Sequence, residues 1–197
     1  MKPKVLGLDL AGVEKRPTGV CLLYENLEAE IFTLYSDREI LEIAGKFQPK
    51  LVVVDAPLNL PRKGFLRPCD RELISRGIRV LPPKLGGMET LTLRASKLKR
   101  KLEARGFKVI ECFPGAVRKM FSLPPKRRLP ETLEALEKLG LKPRSRSRIT
   151  VHEVDSILAA LTGFLHLRGL TETVGTPQAG QIVIPKPEAL EKLTRNL

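Results

Sequence analysis

Four acidic residues stand out by where they fall. In "LVVVDAP" four apolar residues, three of them β-branched, run straight into Asp55 and then an Ala-Pro turn. "GLDLAG" brings a similar run to Asp9, "VIECFPG" brings one to Glu111, and "HEVDSILAAL" sets Asp155 inside an apolar helical pattern. A continuous apolar run suits a strand buried on both faces, as in a covered parallel sheet. An ionised Asp is costly to bury, so each acid is expected at the exposed carboxyl end of its strand, where open α/β sheets bind ligands. Any one of them, taken alone, reads equally well as an acid opening a turn. Three strand-end acids and a fourth on a helix read together as a carboxylate site. Like charges so crowded require raised pKa values or a compensating cation.

The elements that must position these acids follow in order. "KVLGLDLAG", "TGVCLLYE" and "EAEIFTLY" are three strands joined by short turns, which predicts an antiparallel meander. "DREILEIAGKF" has helical spacing, with Ile40, Ile43, Ala44 and Phe47 on one stripe. The Asp55 strand comes next. Residues 61–90 are rich in Pro, Gly and Arg without a clear period, and read as an inserted arm or lid. "TLRASKLKRKLEARG" is a strongly basic helix closed by Gly106. The Glu111 strand, a short helix ending at Gly140, a mobile "KPRSRSR" and the Asp155 helix complete the order, with "GQIVIP" as a last extended segment at an edge. No repeat or polar linker divides the chain, so one domain over residues 1–197 is expected, its length being sufficient for one good core.

Charge narrows the partners. The net charge is +13, yet residues 62–150 hold 24 Lys and Arg against 8 Asp and Glu, so the excess lies wholly in the middle of the chain. Clustering of this kind is the footprint of a phosphate-rich partner, DNA or RNA. The candidates are Lys97, Lys99, Arg100 and Lys101 on the basic helix, with Arg127 and Arg128 in "PPKRRLP". In the arm, Arg67 and Arg71 suit planar phosphate contacts, or else pair within the arm, where Asp70 lies between them. Two Tyr, seven Phe and no Trp argue against extensive base stacking. Three widely spaced Cys without a CxxC pair speak against zinc or a disulfide framework and for a reducing cytoplasm. No apolar run is long enough to span a membrane, and the first residues lack the pattern of a signal peptide. Scarce Asn and Gln beside abundant Lys, Arg and Glu hint at a thermophilic source. Neither a P-loop nor a dinucleotide-binding fingerprint is present.

The order of three antiparallel strands, helix, strand, basic helix, strand and helices is that of the RNase H fold. With "GLDLAG", "VVVDAP", "VIECFPG", "HEVDSILAAL" and "GQIVIP", the chain resembles a family of predicted RNase H-like nucleases, the domain of unknown function 429. The resemblance covers nearly the whole chain. It implies an α/β fold with a mixed five-stranded sheet, three antiparallel strands and then two parallel, flanked by helices. It also implies metal-binding acids on the first strand, the fourth strand and a late helix, positions that Asp9, Asp55 and Asp155 match. Mg²⁺ or Mn²⁺ suits carboxylate and phosphate oxygens, and two such ions can activate water and steady the leaving oxygen in phosphodiester hydrolysis. Glu111 is either a fourth site carboxylate or the partner of a basic residue in the lid. His152 resembles the His of the His-x-x-Asp in RuvC-type resolvases, orienting water or touching phosphate, or it is a plain polar residue of the helix's first turn. A metal-dependent nuclease is the first expectation; a non-catalytic nucleic-acid-binding or processing subunit on the same fold is the second.

Overall fold

Apolar runs at the N terminus pair as the alternation demands. The computed structural model describes residues 2–145 and 148–195. Strands β1 (Val5–Asp9), β2 (Thr18–Leu23) and β3 (Glu28–Leu34) form an antiparallel meander. Helix α1 (Asp37–Phe47) starts at a capping box in which Ser36 and Glu39 satisfy each other's backbone amides. It leads to β4 (Leu51–Asp55), parallel to β1. After α2 (Pro68–Ser75) and the long α3 (Gly87–Glu103), β5 (Val109–Glu111) pairs in parallel with β4. Helices α4 (Pro114–Met120) and α5 (Leu129–Lys138) precede β6 (Lys142–Ser145) and the buried α6 (Val151–His166). The chain closes with a hairpin of β7 (Thr171–Thr176) and β8 (Gly180–Pro185), then α7 (Ala189–Arg195).

The main sheet runs β5-β4-β1-β2-β3-β6. Its first five strands are the expected RNase H-like arrangement. The differences are at the margins. Part of the supposedly mobile "KPRSRSR" is β6, a sixth strand parallel to β3, while Arg146 and Ser147 lie outside the described residues. The segment "GQIVIP" pairs with β7 in a separate two-stranded sheet, and a single bridge between Cys112 and Val183 among the described residues joins it to the end of β5. The arm at 61–90 is not aperiodic throughout. Residues 68–75 form α2, which buries Cys69 and Leu73 against Val174, Ile182 and Ile184 of the hairpin. Two turns are too short to display a helical period, and Pro68 at the first turn marks the start of a helix as well as a loop.

Successive residues of each central strand feed opposite cores. Val5, Cys21, Leu51 and Val53 pack under α6, whereas Leu6, Leu8, Val20, Val52 and Val54 pack against α1 and α3. Two glycines bring α6 unusually close. A Cβ on Gly7 would lie 2.4 Å from the carbonyl oxygen of Ser156, and one on Gly19 would lie 2.1 Å from that of His152. Both obstacles are backbone, so neither can swing aside. Among the described residues no helix is long and apolar enough to cross a membrane.

Gly19→Ala is accordingly expected to cost about 3 kcal/mol by overpacking, read as a lower urea midpoint with unchanged slope. An unaltered midpoint would mean that α6 is free to lift off the sheet.

Candidate functional site

Register places the first two acids. Because β1 and β4 are parallel neighbours, Asp9 and Asp55 are paired residues at their carboxyl ends. Both line a cavity of about 330 Å³ that also takes in Glu111, at the end of β5, and Lys126 from the loop between α4 and α5. Helix α6, capped by Thr150 and Glu153, crosses the same end of the sheet. It presents His152 and Asp155 one turn apart, and Asp155 is close enough to raise the pKa values of both strand-end acids.

The acids differ in how they are compensated. Asp155 is 1% exposed; its Oδ1 accepts from Arg118 of α4 at 2.9 Å, and its Oδ2 pairs with the Lys126 ammonium. Asp9 Oδ2 lies 2.7 Å from His152 Nδ1. This contact raises the His152 pKa against the opposing effect of its partial burial, and the imidazole proton sits on Nδ1 when it donates to a carboxylate. Burial raises the Asp9 carboxyl, the His152 hydrogen bond opposes it, and Asp155 adds to the rise. Asp55 is pushed well above the ordinary carboxylate range, first by burial, then by Asp9 and Asp155, with Lys126 pulling the other way. Asp55 accepts no hydrogen bond among the described residues.

Glu111 belongs to a different arrangement. Arg67, 1% exposed, donates from Nη1 and Nη2 to Glu111 at 2.7 and 2.6 Å, and from Nε and Nη2 to Asp70 at 3.0 and 2.7 Å. A further bond from Nη1 to Asn59 Oδ1 uses the last of its five N–H donors. Glu111 Oε2 also accepts from the Leu58 amide at 2.9 Å. Burial works against the Arg67 charge, but Glu111 and Asp70 outweigh it and hold the guanidinium ionised. Of the two roles open to Glu111, the structure has the second: it pairs with a basic residue of the arm, and so joins the ends of β4 and β5 to α2. Arg67 is correspondingly removed from the candidates for nucleic-acid contact, because it is buried and saturated.

The other basic candidates scatter. Lys97, Arg100 and Lys101 share one side of α3, but Lys99 points to the opposite side, pairing with Glu103. Lys101 reaches Asp37, and Arg128 pairs with Glu131. Leu91 lines the cavity, which puts Lys97 to Lys101 roughly 9–15 Å further along the helix axis. Arg71 is exposed and donates to the Leu66 carbonyl; Arg127 is exposed beside Lys126. Lys126 and Arg118 were not evident as site residues from sequence. Lys126 lies in "PPKRRLP", a Pro-bounded basic loop, and Arg118 within α4, and nothing in either stretch points to Asp155. The three cysteines are all buried and free, and burial pushes the Cys69 thiol up to about 11, which removes it as a nucleophile.

A divalent cation fits this donor set in a limited way. Asp9 and Asp55 offer carboxylate oxygens to one cavity without a cation of their own other than the shared His152 and Lys126, and Mg²⁺ is commonly held by one or two carboxylates with water and substrate phosphate. Among the described residues, however, no three His, Cys, Asp or Glu side chains are grouped to hold a metal ion. Asp155, the third expected ligand, is occupied by Arg118 and Lys126.

The strand order β5-β4-β1-β2-β3, with β2 antiparallel to both neighbours, is an RNase H-like arrangement. Residues 7–179 match the family described as "Protein of unknown function (DUF429)", and the chain belongs to that family. No curated protein matches the chain. Among solved structures it is similar to Thermus thermophilus RuvC in complex with a Holliday junction substrate, at 18% identity and a TM-score of 0.49, covering 84% of this chain and 95% of that one. It is also similar to a Thermus thermophilus RuvC structure at 17% identity and a TM-score of 0.48, covering 84% and 96%.

Two expectations follow from the contrast between compensated and uncompensated acids. Arg67→Met strands two buried carboxylates and should cost about 3–5 kcal/mol, measured by denaturant unfolding. Asp55, by contrast, has a folded-state pKa above its unfolded value, so the folded protein loses stability as pH rises between the two and recovers it on acidification. Asp55→Asn should therefore raise the melting temperature of the metal-free protein near neutral pH, with the gain vanishing towards about pH 4. A pH-independent gain, or a loss, would contradict the assigned electrostatics.

Proposed function

We propose that the protein is a metal-dependent nuclease, hydrolysing phosphodiester bonds of DNA or RNA at the carboxyl ends of β1 and β4. The observation that carries this reading is the pairing of Asp9 with Asp55 in one cavity, with Asp55 raised and without a hydrogen-bond donor. Mg²⁺ or Mn²⁺ held there would supply Lewis acidity towards a phosphoryl oxygen and lower the pKa of water. The remaining tasks fall to the chain itself. His152, half-exposed and fixed through Nδ1 by Asp9, is placed to orient water or to steady a phosphate oxygen. Lys126, with Arg127 and Arg128 following it, provides positive charge beside the acids for the phosphate backbone. Asp155 sets the position of Lys126 and Arg118, and a second ion would have to draw it away from them. That same pairing favours the alternative of a non-catalytic nucleic-acid-binding subunit, in which the cations of the protein permanently take the place of metal.

Substitution of the acids separates the two readings. Asp9→Asn, Asp55→Asn and Asp155→Asn should each abolish Mg²⁺- or Mn²⁺-dependent cleavage of oligonucleotides without altering the circular dichroism spectrum. His152→Ala should slow turnover about a hundredfold while leaving Mn²⁺ binding intact. Nucleic-acid binding with no cleavage of single-stranded, duplex or branched substrates in any divalent metal would establish the binding subunit instead.

A further inference from the structure

The acids do not lie in an open groove. Asp9 and Asp155 expose 13% and 2% of their side chains, and the cavity of about 330 Å³ that reaches Asp9, Asp55 and the Arg67–Asp70–Glu111 set is otherwise lined largely by apolar groups. Met88 and Leu91 come from the first turns of α3, Val80 and Leu81 from the segment before it, Phe113 from the turn after β5, and Ile182 from β8. Leu81 is 65% exposed, as expected of a residue at the cavity mouth. Arg79 and Lys126 add positive charge to the lining. A ligand that fits must therefore present apolar surface to these side chains and an anionic group to the cations.

Resting on the nuclease reading, we propose that this cavity takes one unpaired nucleobase of the substrate strand, next to the phosphate presented to Asp9 and Asp55. The volume sits at the lower end of the range for small-ligand pockets, about 300–1,000 Å³, which suits a single nucleoside unit and excludes stacked base pairs. The apolar wall supplies the base with a face, Phe113 being its aromatic member, much as pockets for extruded bases use aromatic and aliphatic side chains. The backbone phosphate is left to Arg79, Lys126 and the exposed Arg127. A base within a duplex reaches such a recess only by leaving its stack, at a cost that is least where it is already unpaired. The substrate class is accordingly a single strand, a frayed end or a duplex with an unpaired nucleotide, and not continuous duplex. The few aromatic residues of the chain are consistent with one such base site and not with a long stacking platform.

The test uses oligonucleotides carrying one 2-aminopurine, as a single strand, as a blunt duplex, and as a duplex with that base unpaired, all with Ca²⁺ in place of Mg²⁺. The wild-type protein should bind the two unpaired forms about tenfold more tightly than the blunt duplex and change the 2-aminopurine emission at one position only. Leu81→Asp and Met88→Glu, the first at an exposed position that keeps the fold safe, should remove that preference and the emission change. Equal affinity for all three forms, unaffected by either variant, would overturn the base site. If Asp9-dependent cleavage of blunt duplex accompanied that result, the nuclease reading would stand and only the base site would fall. Binding of unpaired strands with the expected emission change but no cleavage in any metal would keep the base site and reject catalysis.

Discussion

The contact on which the arrangement depends is the approach of α6 to the backbones of β1 and β2. Gly7 and Gly19 carry no Cβ where one would meet the carbonyl oxygens of Ser156 and His152. The helix therefore lies directly on the sheet, and its entire length from Glu153 to Leu165 is buried. That closeness determines how far Asp155 and His152 stand from the ends of β1 and β4. A helix held off by ordinary side chains would carry His152 and Asp155 away from Asp9 and Asp55 at the strand ends. Gly163, at the far end of the same helix, repeats the device against Val5 and Val53, a Cβ there falling 2.7 and 2.5 Å from their methyl groups.

Around this crossing the buried charges divide into two kinds. In the first, Arg67, Glu111, Asp70 and Asn59 satisfy one another completely, and all five guanidinium donors are used. Such a set stabilises little relative to an apolar core but is costly to break, so it locks α2 against the ends of β4 and β5. In the second, Asp155 is near enough to raise the pKa values of Asp9 and Asp55, and Asp55 accepts no hydrogen bond among the described residues. The fold tolerates that repulsion only because Lys126, Arg118 and His152 offset part of it. Arg67, Asp70 and Glu111 of the first set and Asp9, Asp55 and Lys126 of the second all line the one cavity. A position held by saturated bonds beside one short of positive charge is the arrangement expected where binding of a cation offsets the repulsion.

Burial also reassigns charge that looks uniform along the chain. The central basic excess is real, but its members do different work. Arg67 and Arg94 are internal, Arg94 donating to the carbonyls of Ala11 and Tyr35 and pairing with Asp37. Others pair with neighbours one turn away, and such exposed pairs contribute little. What remains near the cavity is a small group centred on the loop at Lys126. The positive charge left free of internal pairing near the cavity thus comes from fewer residues than the composition implies.

The five central strands and the strand-end positions of Asp9 and Asp55 were legible in the amino-acid sequence, because strand burial writes itself as unbroken apolar runs; that the acids ending those runs would themselves be largely enclosed, as Glu111 is at 5% exposure, was not. "KVLGLDLAG" and "LVVVDAP" became neighbouring parallel strands with Asp9 and Asp55 in register, and Gly106 and Gly140 close their helices with positive φ. Helix α2 was hidden by its two-turn length, and β6 by its polar, edge-strand composition. The partners of the acids were not legible at all. Whether Glu111 meets a metal or Arg67, and whether Asp155 is free or held by Arg118 and Lys126, depends on side chains separated by 29 to 44 residues. Periodicity reports which face of an element is buried; it carries no information on which distant charge will share that face. Only the tertiary structure, by burying the carboxylate beside a particular cation in the low-dielectric interior, decides that pairing.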